Sequence, residues 1–268
     1  MTNATPTDAR SPRQAARDER FGKPIGPRRY AARPSGRPVL VCAGDSITCG
    51  LVSANWVVQV AQTVSPRMDT VNAGVNGDVA WNLLSRLDDI IACRPAAVTV
   101  LIGTNDVLAQ ISTARSDQYL KQKRLPQRPT PQWYEDSLQQ IVGRLQSGTA
   151  AAVALMSLTP LGDATTGRWD DLIAPYNAII HAVASRAGVP VLPAHERVTE
   201  LIAHEPTAPW DGTSKLGYAA LARRFLLRRS WDAIALRHGF STTTDGVHLN
   251  EQAAARVAAL AERFAVGA

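Results

Sequence analysis

From residue 38 onward the chain alternates short, predominantly apolar runs with longer stretches in which apolar side chains recur every three or four positions. Val39 to Ala43 is continuously apolar, and Ala97 to Ile102 and Ala151 to Leu158 are apolar but for Thr99 and Ser157, the pattern of parallel strands covered on both faces. Val71 to Ala73 and Val189 to Leu192 are shorter strand candidates. Between them, Trp56, Val57, Val60, Ala61 and Val64 share one helical face, as do Val79, Leu83 and Leu87, with Ser53 and Asp78 as the expected caps and Pro66 as a stop. Trp133 to Leu145, Leu172 to Ala187 and Asn250 to Phe264 read as further helices. The order βαβαβαβαβ, closed by the last helix, predicts an α/β fold of three α/β/α layers. Its core would be a flavodoxin-like, five-stranded parallel sheet in the order 2-1-3-4-5.

Two segments depart from this alternation. Residues 109–131 are polar and basic, with Lys121, Lys123, Arg124 and Arg128, and read as a long excursion. Residues 195–244 are far longer than a return connection needs. They carry helical patterns near Leu216 to Leu227 and Ser230 to Arg237, together with Trp210, Phe225, Trp231 and Phe240. Such aromatic residues read first as core, and a lid over a site is the functional reading of the segment.

Charge separates a tail from this body. Residues 1–37 hold nine basic residues against Asp8, Asp18 and Glu19, which accounts for the whole net charge of +6 and leaves residues 38–268 neutral. With Phe21, Ile25 and Tyr30 as its only sizeable apolar side chains, the tail is expected to be disordered or loosely draped. Residues 38–268 then form one domain with the two insertions. The neutral body excludes a specific nucleic-acid binder, and the tail leaves only weak contacts with anionic partners. No apolar stretch after Met1 resembles a signal peptide and no run reaches the roughly 18 residues of a transmembrane helix, so a cytoplasmic address is expected. Cys42, Cys49 and Cys93 lack metal-ligand spacing and read as small apolar residues; neither a metal nor another cofactor is expected.

Four separated segments carry the candidate chemistry: Gly44-Asp45-Ser46-Ile47-Thr48, Asn76-Gly77-Asp78, Gly103-Thr104-Asn105-Asp106 and Asp245-Gly246-Val247-His248. An Asp three residues before a His arises by chance in roughly one chain in four, so it counts only beside the rarer companion segments. The first three each follow a predicted strand, and the fourth follows the fifth strand after the long insertion, which brings all four to one sheet edge. In the order 2-1-3-4-5, Ser46 lies between Gly77 and Asn105. Ser46 then supplies a nucleophile, while its own N–H, the Gly77 N–H and the Asn105 amide supply donors for an oxyanion. A His248 ring held by Asp245 supplies a general base. Asp45 and Asp106 read as turn-fixing residues that bond backbone amides, and His181, His195, His204 and His238 as ordinary residues.

In these motifs, over about residues 38–266, the chain resembles the SGNH hydrolase family, the GDSL esterases and lipases. The resemblance implies Ser46 as nucleophile, Gly77 and Asn105 as oxyanion donors, His248 as general base and Asp245 as its orienting carboxylate. It implies a metal-independent serine esterase acting on a small-molecule or carbohydrate acyl ester through an acyl-enzyme on Ser46. Two alternatives stay open: an acyltransferase with the same triad, and a non-catalytic binding protein on the same fold.

Overall fold

The computed structural model describes residues 24–202, 210–213 and 215–267. Five strands, β1 (Val39–Gly44), β2 (Asp69–Gly74), β3 (Ala97–Leu101), β4 (Ala152–Met156) and β5 (Val191–Leu192), form one sheet in the order β2-β1-β3-β4-β5. Every pairing is parallel, with Val41 opposite Val71 on one side and Val98 on the other. The side chains of β1 and β3 are buried throughout, because helices cover both faces. The expected three-layer α/β/α architecture and strand order are therefore those observed.

In chain order the described helices are α1 (Pro27–Ala32), α2 (Ser46–Cys49), α3 (Trp56–Val64), α4 (Ala80–Ser85), α5 (Leu87–Ile91), α6 (Thr104–Leu108), α7 (Thr113–Gln122), α8 (Pro131–Gly148), α9 (Arg168–Ala187), α10 (Ala194–Thr199), α11 (Lys215–Phe225), α12 (Trp231–Arg237) and α13 (Glu251–Gly267). The apolar stripes find their partners as the periodicity requires. Trp56, Val57 and Val60 of α3 are fully buried, as are Ala254, Val257 and Ala261 of α13, and α3 packs on α13.

Two caps differ from the sequence reading. Asn55, not Ser53, caps α3 by accepting from the Val58 N–H at 3.0 Å, since a cap must sit directly before the first helical residue. Asp78 caps nothing; its carboxylate is drawn instead to Arg86 and Lys123, at 2.8 and 2.7 Å. Val79, Leu83 and Leu87 are buried on one face as expected, although the helix is interrupted at Arg86.

The basic tail also divides. Residues 24–37 are ordered against the body: Ile25 bridges to Val71, Tyr30 is buried, and Arg28 and Arg37 pair with Asp89 and Asp69. Their few apolar groups find a preformed edge at β2, so the segment need not order itself unaided. Residues 1–23, with the rest of the tail reading, lie outside the described residues.

One close approach sets up the first loop. A Cβ at Gly74 would stand 2.2 Å from the Cys49 backbone nitrogen, so the end of α2 can settle on the end of β2 only because glycine is there. Next to it, the Asn72 amide donates to the Thr48 carbonyl at 2.9 Å. The turn bearing Ser46 is thus fixed to the neighbouring strand.

Candidate active site

Ser46 begins α2 immediately after β1. As the first helical residue it has a backbone N–H with no partner inside its helix. Asp45 holds the turn by accepting from the Ile47 N–H at 2.9 Å, the role read from the sequence. The Ser46 hydroxyl lies 2.9 Å from His248 Nε2 across 202 residues of chain. His248 Nδ1 lies 2.8 Å from one Asp245 carboxylate oxygen, and the other oxygen accepts from the Val247 and His248 N–H groups at 3.1 and 2.8 Å. With Nδ1 donating to Asp245, the neutral ring presents Nε2 as an acceptor to the serine hydroxyl.

The electrostatics follow from this chain of contacts. Burial works against the His248 imidazolium, but the charge and hydrogen bond of Asp245 outweigh it, and the pKa is raised from the ordinary 6.5. Burial likewise opposes ionisation of Asp245, yet His248 and two backbone N–H groups prevail and hold its pKa below the ordinary 3.8. Asp45 and Asp106 behave in the opposite way. Burial pushes Asp45 up to about 7 and Asp106 well above the usual carboxylate range. Two ionised carboxylates this close would oppose any negative charge developing at Ser46, and burial reduces that opposition.

On the other side of Ser46, Gly77 follows β2 and Asn105 follows β3. Gly77 has φ of +74°, and the nearest atom to a Cβ there is a Lys123 methylene at 3.7 Å. The left-handed turn therefore favours glycine at this position. The turn and Asn105 meet directly: Asn105 Nδ2 donates to the Asp78 carbonyl at 2.9 Å. That bond uses one of two amide hydrogens and leaves the second free. The amide orientation is set by Tyr119, whose hydroxyl donates to Asn105 Oδ1 at 2.7 Å. Asp106 Oδ2 accepts from the Ala80 N–H at 3.0 Å, so its carboxylate bonds a backbone amide as expected, but at the start of α4 rather than in its own turn.

Sequence reading missed the residues that hold these groups. Arg115, Tyr119 and Lys123 recur every four residues along the 109–131 excursion and point three ways from one helical stripe. Arg115 donates to the Gly212 carbonyl at 3.2 Å, Tyr119 to Asn105, and Lys123 to the Asn76 carbonyl at 2.9 Å. That four-residue spacing within a polar stretch was the available signal. Arg86 joins the same network, bonding Asp78 and the Gly44 carbonyl at 2.8 and 3.0 Å.

Asp163 was missed as well. Its buried carboxylate accepts from the backbone N–H groups of Ser241 and Thr242 and from the hydroxyls of Thr242 and Thr243, at 2.8, 2.6 and 3.1 Å for the last three. The signal was the donor-rich run Ser241-Thr242-Thr243-Thr244 before Asp245, which needs an acceptor wherever it is buried. His238, read as ordinary, also serves this loop. Arg223 can only donate, so His238 Nε2 accepts from it at 3.0 Å and Nδ1 donates to the Thr244 carbonyl at 2.6 Å. Among the described residues, no group of three or more His, Cys, Asp or Glu could hold a metal ion.

The GDSL-like Lipase/Acylhydrolase family model matches residues 42–256. The chain belongs to this family. Membership in the GDSL-like lipases and acylhydrolases makes it a hydrolase acting on esters. Solved structures agree on the fold. The acetylxylan esterase Axe2 from Geobacillus stearothermophilus aligns with a TM-score of 0.61 at 18% identity, over 86% of this chain and 94% of its own. A lipase/acylhydrolase from Enterococcus faecalis gives 0.57 at 19% identity, over 86% and 96%. LAE5, an alpha/beta hydrolase enzyme from the metagenome of Lake Arreo in Spain, gives 0.60 at 18%, over 85% and 95%. No curated protein matches the sequence.

Proposed function

We propose that this GDSL-family protein hydrolyses a carboxylic ester through an acyl-enzyme on Ser46. The observation that carries the reading is the unbroken chain Ser46 Oγ, His248, Asp245, with links of 2.9 and 2.8 Å. Ser46 attacks the ester carbonyl while His248 Nε2 takes its proton. The tetrahedral oxyanion accepts from the Ser46 N–H, the Gly77 N–H and the second Asn105 amide hydrogen, donors that carry no charge and are fixed before substrate arrives. His248, now an imidazolium steadied by Asp245, returns the proton to the departing alcohol oxygen, and the acyl group stays on Ser46. Water repeats the sequence: His248 takes its proton, the hydroxide adds to the acyl carbon, and Ser46 leaves with the proton regained.

The ester is that of a small molecule or a carbohydrate, a class favoured by the acetylxylan esterases among the fold relatives. Ser46→Ala should abolish turnover of p-nitrophenyl acetate in a folded protein, and a fluorophosphonate probe should label the parent at Ser46 alone. Unchanged turnover in the variant, or failure of the folded parent to label, would remove the hydrolase reading.

A further inference from the structure

The outward face of α11 and the turn after it form an apolar surface that nothing in the described structure covers. Along α11, Tyr218, Ala222 and Phe225 follow the spacing of an amphipathic stripe, which normally faces the core, and Leu226 continues it in the turn that follows. Here the stripe faces out: Tyr218 is 74% exposed, Phe225 62%, Leu226 79% and the adjoining Leu227 64%. Arg223 and Arg224 flank the stripe on the helix, and Arg228 and Arg229 follow the apolar turn. Among the described residues, none of these four arginines pairs with a carboxylate. Arg223 and Arg224 instead bond His238 and the Arg229 carbonyl.

We infer that this surface docks the protein on an anionic lipid bilayer, with Phe225, Leu226 and Leu227 entering the headgroup boundary and the arginines meeting lipid phosphates. Apolar side chains ringed by arginine suit such an interface, because each class finds its own partner at the same depth. A second copy of this chain fits less well. Two-fold pairing would set arginine against arginine. An 11-residue helix, about 16 Å long, also offers far less than the roughly 800 Å² per partner of a stable dimer. The chain's own basic tail carries the wrong sign to cover it.

The position of the helix connects this surface to the chemistry. A Cβ on Gly217 would stand 2.9 Å from Asp245 Oδ2, so the start of α11 lies against the triad loop. Leu226 follows nine residues later, about 14 Å away at the helical rise. Docking would therefore hold the loop that bears Asp245 and His248 about one helix length from the bilayer. In that sense the inference extends the hydrolase reading, although binding itself does not depend on turnover.

The test is co-sedimentation of the full-length protein with vesicles of phosphatidylcholine alone or mixed with phosphatidylglycerol. Binding should be at least about tenfold stronger to the anionic vesicles and weaken as salt rises. Phe225→Ser/Leu226→Ser/Leu227→Ser should lower that binding at least about tenfold. Arg228→Gln/Arg229→Gln should lower it about 25-fold, at roughly fivefold per arginine. Both variants keep the tail and should hydrolyse p-nitrophenyl acetate as the parent does. No preference for anionic vesicles, or equal binding by parent and the serine triple variant, would overturn the inference. A parent dimer that the triple variant dissociates with vesicle binding unchanged would also overturn it, assigning the patch to self-association. Ser46→Ala should bind vesicles like the parent, so binding does not depend on turnover; a parent that binds without hydrolysing refutes only the enzyme reading, and a parent that hydrolyses without binding refutes only the surface.

Discussion

The two sides of Ser46 are built in opposite ways. Gly77 and Asn105 sit in tight turns a few residues past β2 and β3, so the sheet itself delivers them. Asp245 and His248 come far past β5, which ends at Leu192, and owe their place to side chains that grip the loop from outside. Asp163 collects its donors and His238 its last carbonyl, while the Gly162 N–H donates to the Gly246 carbonyl at 2.7 Å. A site can thus have one half placed by short turns off the sheet and then oriented by Tyr119 and Lys123, and the other placed by buried hydrogen bonds alone. Substitutions on the first side should change rate more than stability, whereas those supporting the second should cost stability foremost.

The largest expected effect within that contrast is at Asp245. Asp245→Asn keeps the shape but removes the charge that fixes the ring tautomer, and kcat should fall about 10³- to 10⁴-fold in steady-state assays. Asn105→Ala, on the sheet-delivered side, should cost about 100- to 1000-fold in kcat, with a loss of thermal stability smaller than that of Asp163→Ala because only the Asp78 carbonyl and the Tyr119 hydroxyl lose a partner. A loss below tenfold would make Asn105 structural. Asp163→Ala inverts the pattern. It strands several buried donors and should lower unfolding free energy by about 2–4 kcal/mol in urea titration, with catalysis lost as the loop loosens. Unchanged stability there would end the claim that outside grips hold the base.

Smaller effects sharpen the comparison. Tyr119→Phe removes one bond to the Asn105 amide and should lower kcat about five- to tenfold without raising KM, because it orients a donor used in the transition state. The pH dependence should be smaller still. His248 must be neutral to act, and its pKa lies above 6.5, so kcat/KM should fall on acidification with a midpoint above 6.5. Removing the nearby carboxylate in Asp45→Asn should move that midpoint slightly down, since Asp45 is one of the charges that raise it. The linked stability signs are fixed: the gain from imidazolium His248 is complete at low pH and fades as pH rises through the raised pKa. The gain from ionised Asp245 is present above 3.8 and lost as pH falls through its lowered value.

Much of this architecture was legible in the chain because its signals are local. A continuous apolar run such as Val39 to Ala43 must be buried on both faces wherever it goes, and a strand followed by Gly-x-Asn-Asp reports its own turn. The strand order entered as the flavodoxin-like pattern of such an alternation, and the sheet has that order. What failed was of two kinds. Asn55 displaced Ser53 as the α3 cap, a local shift of two residues, whereas residues 24–37 were read as loose because their partner, the edge at Val71, is remote in sequence.

By itself, then, the sequence determined the sheet, most of its helices and the candidate reacting groups, since periodicity and motif spacing act over a few residues. Only tertiary structure decided which side chains hold those groups. Tyr119, Lys123, Asp163 and His238 find their roles across gaps that no pattern spans, because a buried donor or acceptor selects its partner by proximity in space.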